Sequence, residues 1–416
     1  MFIEKTRERL STTYHEYPRT FWTLVGVSFV DALGGFILFP FFALYLTKRF
    51  SVGMTQVGVL FAVFSLSSFV GSTLGGALAD RMGRKGIAIF SMVANSVAAV
   101  AMGLVDSLQA FFWLALLVGI FTDMGGPARQ AMVADLLPEQ QRGSGFGILR
   151  VAANVAAAIG PAIGGFIAGH SYLALFLLDA AISLIVAFLF FIAIPETKPA
   201  PHPDAVHENM AQTFQGYGRV LRDKVFMAFT LACMLMVFTY QNMNTTMGVY
   251  LRDTHGIPEA GYGFIISVNA SMVVLLQFWV TRRTEKYPPM LVMALGSALY
   301  AAGFALYGLV SVYWLFVLAM VIITIGEMIT IPTSQSVTAR LAPADMRGRY
   351  MAIFGYSWGI PFAFGPYLAG LIMDNADPRL LWYASGVVGL MAVAGFGLLH
   401  RAAEPAPAAG APEPAP

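Results

Sequence analysis

Apolar stretches of about twenty residues recur along the whole chain, and short groups of glycine, proline or charged residues separate them. A helix that crosses a bilayer needs about 20 mostly apolar residues. Only 12% of the 416 residues are charged, about half the share in a soluble domain. This pattern predicts an all-α integral membrane protein with twelve transmembrane helices. The predicted spans are 21–46, 55–79, 87–105, 110–134, 144–169, 172–194, 225–250, 260–281, 289–310, 313–338, 349–373 and 380–400.

Lysine and arginine are distributed unequally between the two ends of these spans. If the N-terminus is cytoplasmic, the opposite side contains only Lys48, Arg49, Arg252 and Arg379 of the 25 basic residues, and most of the others lie in cytoplasmic loops. Because cytoplasmic loops are rich in Lys and Arg, we expect both termini in the cytoplasm. The first twenty residues lack the apolar region and cleavage site of a signal peptide.

Several functional classes are disfavoured by composition. Cys233 is the only cysteine, and none of the six histidines falls at membrane depth, which argues against an embedded metalloenzyme and against a cysteine metal site. The net charge is only +2, which argues against a nucleic-acid partner. No Walker-type GxxxxGK[ST] motif is present, so ATP is not expected as the energy source. We expect neither an enzyme nor a bound cofactor.

The chain reads as two similar halves. At an offset of 205 residues, Pro138 aligns with Pro343 and Arg142 with Arg347, among other matches. Parallel six-helix repeats of this kind build transporters in which a central site is exposed to each side in turn. The predicted parts are a cytoplasmic N-terminal segment (1–20), a six-helix bundle (21–194), a proline-rich cytoplasmic linker (195–224), a second six-helix bundle (225–400) and a disordered cytoplasmic tail (401–416).

The stretch "GGALADRMGRKG", 75–86, places four charged residues between the second and third spans. It resembles the signature of the major facilitator superfamily, and the resemblance covers the whole chain apart from its tails. The resemblance implies two pseudo-symmetric six-helix bundles. It also implies a latch, in which the acid of the signature pairs with neighbouring helix ends and holds the cytoplasmic side closed. The latch residues it implies are Gly76, Asp80, Arg81, Gly83, Arg84 and Lys85, with Asp135 and Arg142 as candidate partners.

A second stretch, "GPAIGG" at 160–165, resembles the fifth-helix signature of the drug:proton antiporter branch of twelve-helix transporters. Its matching residues are Gly160, Pro161, Gly164 and Gly165. Small residues let membrane helices approach closely, and proline bends a helix, so we interpret this stretch as a pivot. The sequence has Ala156 where that branch usually has a glycine.

Ionisable groups inside spans are costly and therefore candidates for function. Asp31, Asp123 and Glu327 are the predicted proton-coupling residues, because an acid in an apolar pocket can load and release protons. Asp179 lies closer to the outer surface and is a weaker candidate, and Arg129 is interpreted as structural. The candidate substrate contacts are polar or aromatic residues at membrane depth: Arg150, Asn154, Tyr240, Gln241, Asn244, Tyr356 and Trp358.

Taken together, the sequence predicts a monomeric, multi-pass transporter of the bacterial inner membrane. Its function would be proton-coupled export of lipophilic or amphipathic small molecules, driven by the proton gradient, with protons and membrane lipids as its other partners. Two alternatives stay open. One is a lipid or glycolipid flippase, with Arg150 on the headgroup, although Arg150 equally fits neutralisation of a buried acid. The other is a proton-coupled nutrient uptake symporter.

The orientation can be tested with fusions. Alkaline phosphatase fused after Asp106, in a predicted outer loop, should be active in whole cells. The same enzyme fused after Thr197 should be inactive, whereas green fluorescent protein at that position should fluoresce. The reverse pattern would contradict the predicted orientation.

Overall fold

A computed structural model describes residues 16–197, 217–343 and 346–403. Most of the predicted N-terminal segment, linker and tail therefore lies outside the described residues. The first half forms α1 (Arg19–Leu38), α2 (Phe42–Phe50), α3 (Met54–Met82), α4 (Arg84–Leu104), α5 (Leu108–Asp123), α6 (Gly125–Leu136), α7 (Glu139–Ala168) and α8 (Tyr172–Ala193). The second half forms α9 (Lys224–Thr245), α10 (Met247–His255), α11 (Glu259–Thr284), α12 (Pro289–Leu309), α13 (Tyr313–Leu341), α14 (Arg347–Asn375) and α15 (Arg379–Ala403).

The all-α membrane architecture predicted from the sequence is confirmed. Within the described residues, eleven helical segments are long and apolar enough to cross a membrane. The predicted span 349–373 is also helical, as part of α14, and its 29 residues are long enough to cross. Its glycines, prolines, tyrosines and tryptophan make it less apolar than the other eleven.

Three of the predicted spans are interrupted: 21–46, 110–134 and, at Thr246 between α9 and α10, 225–250. A 3-10 turn at Phe39–Phe41, which contains Pro40, separates α1 from α2. Met124 separates α5 from α6. Proline has no N–H for the helix ladder, which explains the first interruption, and Gly125 and Gly126 follow directly after the second.

The structure divides into two compact units. Among the described residues, the first consists of 16–197, Met243–Val274 and Phe362–Asn375, and the second of 217–242, 275–343, 346–361 and 376–403. The first unit thus combines the first six spans with one end of α9, all of α10, most of α11 and one end of α14. The division of the chain into bundles 21–194 and 225–400 stays a prediction.

Close helix packing in the first unit depends on glycine. In that unit α1 packs against α7 and α8, α4 against α8, and α3 against α5. A Cβ at Gly71 would collide with the carbonyl of Ile120, and one at Gly119 would come within 2.6 Å of the Ser67 Cβ. Small residues of this kind let backbones approach in membranes, where helix association depends on van der Waals packing.

The "GPAIGG" stretch lies where α7 meets two other helices. A Cβ at Gly160 would come within 2.7 Å of the Phe36 Cβ on α1, and one at Gly165 within 2.7 Å of the Glu259 carbonyl oxygen on α11. The helix α7 runs through Pro161 without a break. The close approach expected of these small residues is therefore present, while their role as a pivot stays a prediction.

Within the first unit, α3 and α14 are in direct contact. The Asp374 carboxylate accepts hydrogen bonds from the backbone N–H groups of Met54 (2.9 Å) and Thr55 (2.7 Å). It thereby caps the first turn of α3 from a distant part of the chain. A Cβ at Gly58 would overlap the backbone of Tyr367, so the two helices touch backbone to backbone.

In the second unit, α12 packs against α13 and α15 around large aromatic side chains. Tyr300, Phe304, Tyr307 and Trp382 are fully or almost fully buried. Phe304 and Trp382 stack with ring centroids 6.4 Å apart.

Replacing Asp374 tests the cap on α3. Asp374→Ala should lower the free energy of unfolding by about 1 kcal/mol, the usual cost of losing a helix cap. Thermal unfolding of the detergent-solubilised protein measures the change. Asp374→Asn keeps an acceptor oxygen and should lose less. Equal melting temperatures for wild type and Asp374→Ala would contradict the capping role.

Candidate functional site

A cavity of about 310 Å3 lies among the helices of the first half of the chain, within the first unit. Much of its wall is apolar and includes four phenylalanines: Phe39, Phe42, Phe61 and Phe64. Its polar lining comprises Asp31, Ser91, Asn95, Thr122, Asp123, Arg129 and Asp179. In the described part of the chain, no group of three or more His, Cys, Asp or Glu side chains could hold a metal ion.

An ion pair crosses the cavity wall from α1 to α6. The Nη1 of Arg129 donates a hydrogen bond of 2.6 Å to Oδ2 of Asp31. Both side chains are partly exposed to solvent: 31% of the Arg129 side chain and 27% of the Asp31 side chain. The structure therefore gives Asp31, a predicted coupling residue, a basic partner. The sequence interpretation missed this place of Arg129 in the cavity, because residues 98 positions apart give no local sign that they meet.

A second carboxyl group faces the same turn of α1. Asp179, on α8, is only 5% exposed. Asn95 Nδ2 donates to Asp179 Oδ2 (3.3 Å) and to Ser183 Oγ (2.8 Å). A Cβ at Gly34 would come within 3.0 Å of Asp179 Oδ1, so only a small residue fits there.

One feature of the sequence marks Asp179 as a candidate site residue. It is the only charged residue in the 22 residues of α8. Counting along the chain put it near the outer end of its span, and only the packing of α8 against α1 and α4 brings it beside the turn that carries Asp31. Asp123, the third acid of the cavity, is half-buried at the end of α5.

Glu327 lies in the second unit, on α13, with 9% of its surface exposed. The Tyr240 hydroxyl donates to Glu327 Oε1 over 3.1 Å. The Tyr240 ring lies edge-on to Trp358, with centroids 5.8 Å apart, and 6.1 Å from the ring of Tyr300. The structure thus brings together a predicted coupling residue and two predicted substrate contacts, Tyr240 and Trp358.

The other predicted substrate contacts do not line the cavity of the first unit. Arg150 is exposed and Asn154 half-buried, both on α7. Gln241 is buried, Asn244 is half-buried, and Tyr356 is 50% exposed. Their assignment to substrate stays a prediction.

The stretch 75–86 comprises the end of α3, a tight reversal at Gly83 and the start of α4. Gly83 has φ +109°, which a side chain would strain. Arg84 forms an ion pair with Asp135 on α6, and the role of the two residues in a latch stays a prediction. Arg142 donates from Nε to the Leu137 carbonyl (3.3 Å). The Asp80 side chain lies outside the described parts, so its predicted pairing stays untested.

A residue that the sequence interpretation missed also holds this loop. The Glu196 carboxylate accepts hydrogen bonds from the backbone N–H groups of Arg84 (2.9 Å) and Lys85 (3.1 Å). An anion at a helix N-terminus satisfies free N–H groups and the positive end of the helix dipole. Lys85 Nζ donates to the Phe191 carbonyl (2.6 Å), so the loop is fastened to the end of α8.

Comparisons with known proteins agree with this architecture. The family model described as Major Facilitator Superfamily matches residues 24–361 and, in a second match, residues 237–416. A Na(+), Li(+), K(+)/H(+) antiporter of Planococcus maritimus is 28% identical over 390 residues, 87% of this chain and 89% of that protein. Multidrug resistance protein MdtH of Shigella flexneri is 24% identical over 374 residues, 88% of this chain and 90% of that protein.

Among solved structures, the nucleoside transporter NupG aligns over 92% of this chain and 100% of its own, with a TM-score of 0.79. At 13% identity this likeness shows the fold alone.

The ion pair in the cavity wall can be tested by charge removal. Arg129→Gln leaves the Asp31 carboxylate without a base. Breaking a buried pair costs about 3–5 kcal/mol, and we expect about 1–2 kcal/mol here because water reaches both side chains. The double variant Asp31→Asn/Arg129→Gln removes both charges and should recover part of that loss. Thermal unfolding in detergent measures the stability of each variant. A double variant less stable than Arg129→Gln would contradict the pairing.

Proposed function

Because this chain belongs to the Major Facilitator Superfamily, we propose that it is a proton-driven antiporter that exports lipophilic organic cations. The observation that carries the proposal is the cavity of the first unit, which combines three acids, one arginine and a phenylalanine wall. Its acids match the positive charge of such a substrate, and its phenylalanine wall matches the lipophilic body.

The charge balance of the cavity favours a cation. Arg129 compensates Asp31, and none of the described ion pairs includes Asp123 or Asp179. Unpaired charge is costly at membrane depth, so a positive charge that enters the cavity is stabilised. A proton and a cationic substrate can each supply that charge. Competition between them couples export of the substrate to entry of protons.

The apolar wall favours a lipophilic body on that cation. Phe39, Phe42, Phe61 and Phe64 offer ring faces, which attract cations and apolar groups alike. Met92 and Met102 also line the cavity, and their flexible thioethers adapt to differently shaped ligands. A strongly hydrated nutrient would not recover its lost water contacts on such a wall.

Two relatives support the proposal. The name of the Shigella flexneri relative refers to multidrug resistance, and that of the Planococcus maritimus relative to exchange of Na(+), Li(+) or K(+) for protons. The second name, together with the presence of acids in the cavity lining, supports alkali-cation/proton exchange as a second candidate. The flippase alternative has less support, since Arg150 is exposed and does not line the cavity.

In this proposal the transporter works as a monomer in the bacterial inner membrane, with both termini in the cytoplasm and no cofactor. The loop at 75–86 acts as the latch on the cytoplasmic side, and the "GPAIGG" stretch acts as the pivot. Glu327, with Tyr240 and Trp358, serves as a second acid in the second unit.

Transport in proteoliposomes tests the proposal. With an acidic interior, wild-type protein should accumulate ethidium against its gradient as protons leave. Asp31→Asn removes the carboxylate that orders Arg129 and should lower accumulation at least tenfold. Glu285→Gln neutralises an exposed acid outside the cavity and should accumulate ethidium like wild type.

Each other outcome has a defined meaning. If Na+ or K+ dissipates the pH gradient while ethidium does not move, the alkali-cation candidate replaces the organic cation. If wild type moves neither dye nor alkali ions under a pH gradient, the antiporter proposal is wrong.

A further inference from the structure

We propose that Asp179 carries the exchanged proton, and that Asn95 is the positioning residue that holds its carboxyl group in the cavity. This inference rests on the proposed function and names the group that couples it to protons. It adds a residue outside the coupling set Asp31, Asp123 and Glu327 that the sequence predicted.

The surroundings of the three cavity acids differ. Asp31 has a basic partner at 2.6 Å, so its charge is already compensated when the cavity is empty. Asp123 is half-buried at the break between α5 and α6. Asp179 is 5% exposed, and its described contacts are an amide and the turn at Gly34. Of the three acids, Asp179 is therefore the one whose ionised form gains the most stabilisation when a positive charge enters the cavity.

The described hydrogen-bond donor to Asp179 is the neutral amide of Asn95, not a base. The helices packed against α8 are α1, α4 and α7. From α1 the charged group lining the cavity is Asp31, and from α4 the polar groups are Asn95 and Ser91. Arg142 and Arg150 of α7 do not line the cavity, and the remaining charged groups that do are Asp123 and Arg129. A proton on Asp179 is therefore exchanged inside a cavity where the one base among the described lining residues, Arg129, is already paired with Asp31.

Asn95 fixes the position of that carboxyl group. Its amide donates both to Asp179 Oδ2 and to Ser183 Oγ, one helical turn further along α8. The two bonds hold the amide against α8, so its N–H remains directed at the carboxyl group. When a cation enters the cavity, the O–H bond of Asp179 breaks and the proton leaves to water. The carboxylate then keeps the Asn95 hydrogen bond and faces the cation.

Two transport measurements separate proton coupling from substrate binding. One is ethidium accumulation driven by an acidic interior. The other is exchange of internal for external ethidium at equal pH, which requires substrate binding and conformational cycling but no net proton movement. Asp179→Asn keeps the shape of the side chain and cannot release a proton. We expect it to lower driven accumulation at least tenfold and exchange less than threefold.

Variants of the neighbouring residues test the positioning role. Asn95→Leu should lower driven accumulation about threefold or more while exchange is lowered less. Ser96→Ala is the matched control, because Ser96 joins the same two helices through a hydrogen bond to the Ala180 carbonyl (2.8 Å) and does not line the cavity. It should leave both measurements close to wild type.

The outcomes separate this inference from the proposed function. Driven accumulation that persists in Asp179→Asn, or an equal fall of both measurements in Asn95→Leu and Ser96→Ala, would overturn the assignment. Wild-type protein that moves no ethidium refutes the proposed function itself.

If Asp179→Asn fails to fold, wild-type protein in weakly buffered detergent gives an independent answer. Ethidium binding should release about one proton per bound dye, and Asn95→Leu should release less than wild type. Binding without proton release would overturn the assignment.

Discussion

An ionised side chain inside a bilayer must be compensated, and the ion pair between Arg129 and Asp31 meets that requirement in the cavity wall. The pair joins α1 to α6, and the turn of α1 that carries Asp31 also contacts Asp179 through Gly34. Among the described residues that line the cavity, one base faces three acids, so the cavity has an excess of negative charge whenever all three acids are ionised. That excess underlies both the substrate class and the proton coupling that we propose.

The backbone imposes a second electrostatic constraint at helix ends. Carboxylates from distant parts of the chain satisfy free N–H groups at two helix starts of the first unit, Asp374 at α3 and Glu196 at α4. Each carboxylate accepts two backbone hydrogen bonds at the helix start that it caps. Together with the glycine-mediated contacts, these caps fix the positions of the helix ends without a large apolar interface. Such contacts suit a protein that we propose to alternate between two states.

Much of the fold was predictable because the bilayer constrains the chain strongly. Apolar runs, glycine and proline breaks and the charge-rich loop at 75–86 are local features, and each corresponds to a described helix or turn. Arg84 of this stretch pairs with Asp135, while the latch that the sequence predicts stays a prediction. Less of the site was predictable. Asp31 and Asp123 do line the cavity, whereas Arg150 and Asn154, which share a face of α7, do not.

The sequence by itself determined that this chain is helical, spans a membrane and belongs among major facilitator transporters, because hydropathy and loop signatures are read from neighbouring residues. Only the tertiary structure decided which buried charges meet. Arg129 lies 98 positions from Asp31, and Asn95 lies 84 from Asp179. Glycine contacts and polar pairing between helices determine which face of a nearly uniformly apolar helix turns inward. These contacts join residues far apart in the chain, so the local sequence pattern carries no signal of them.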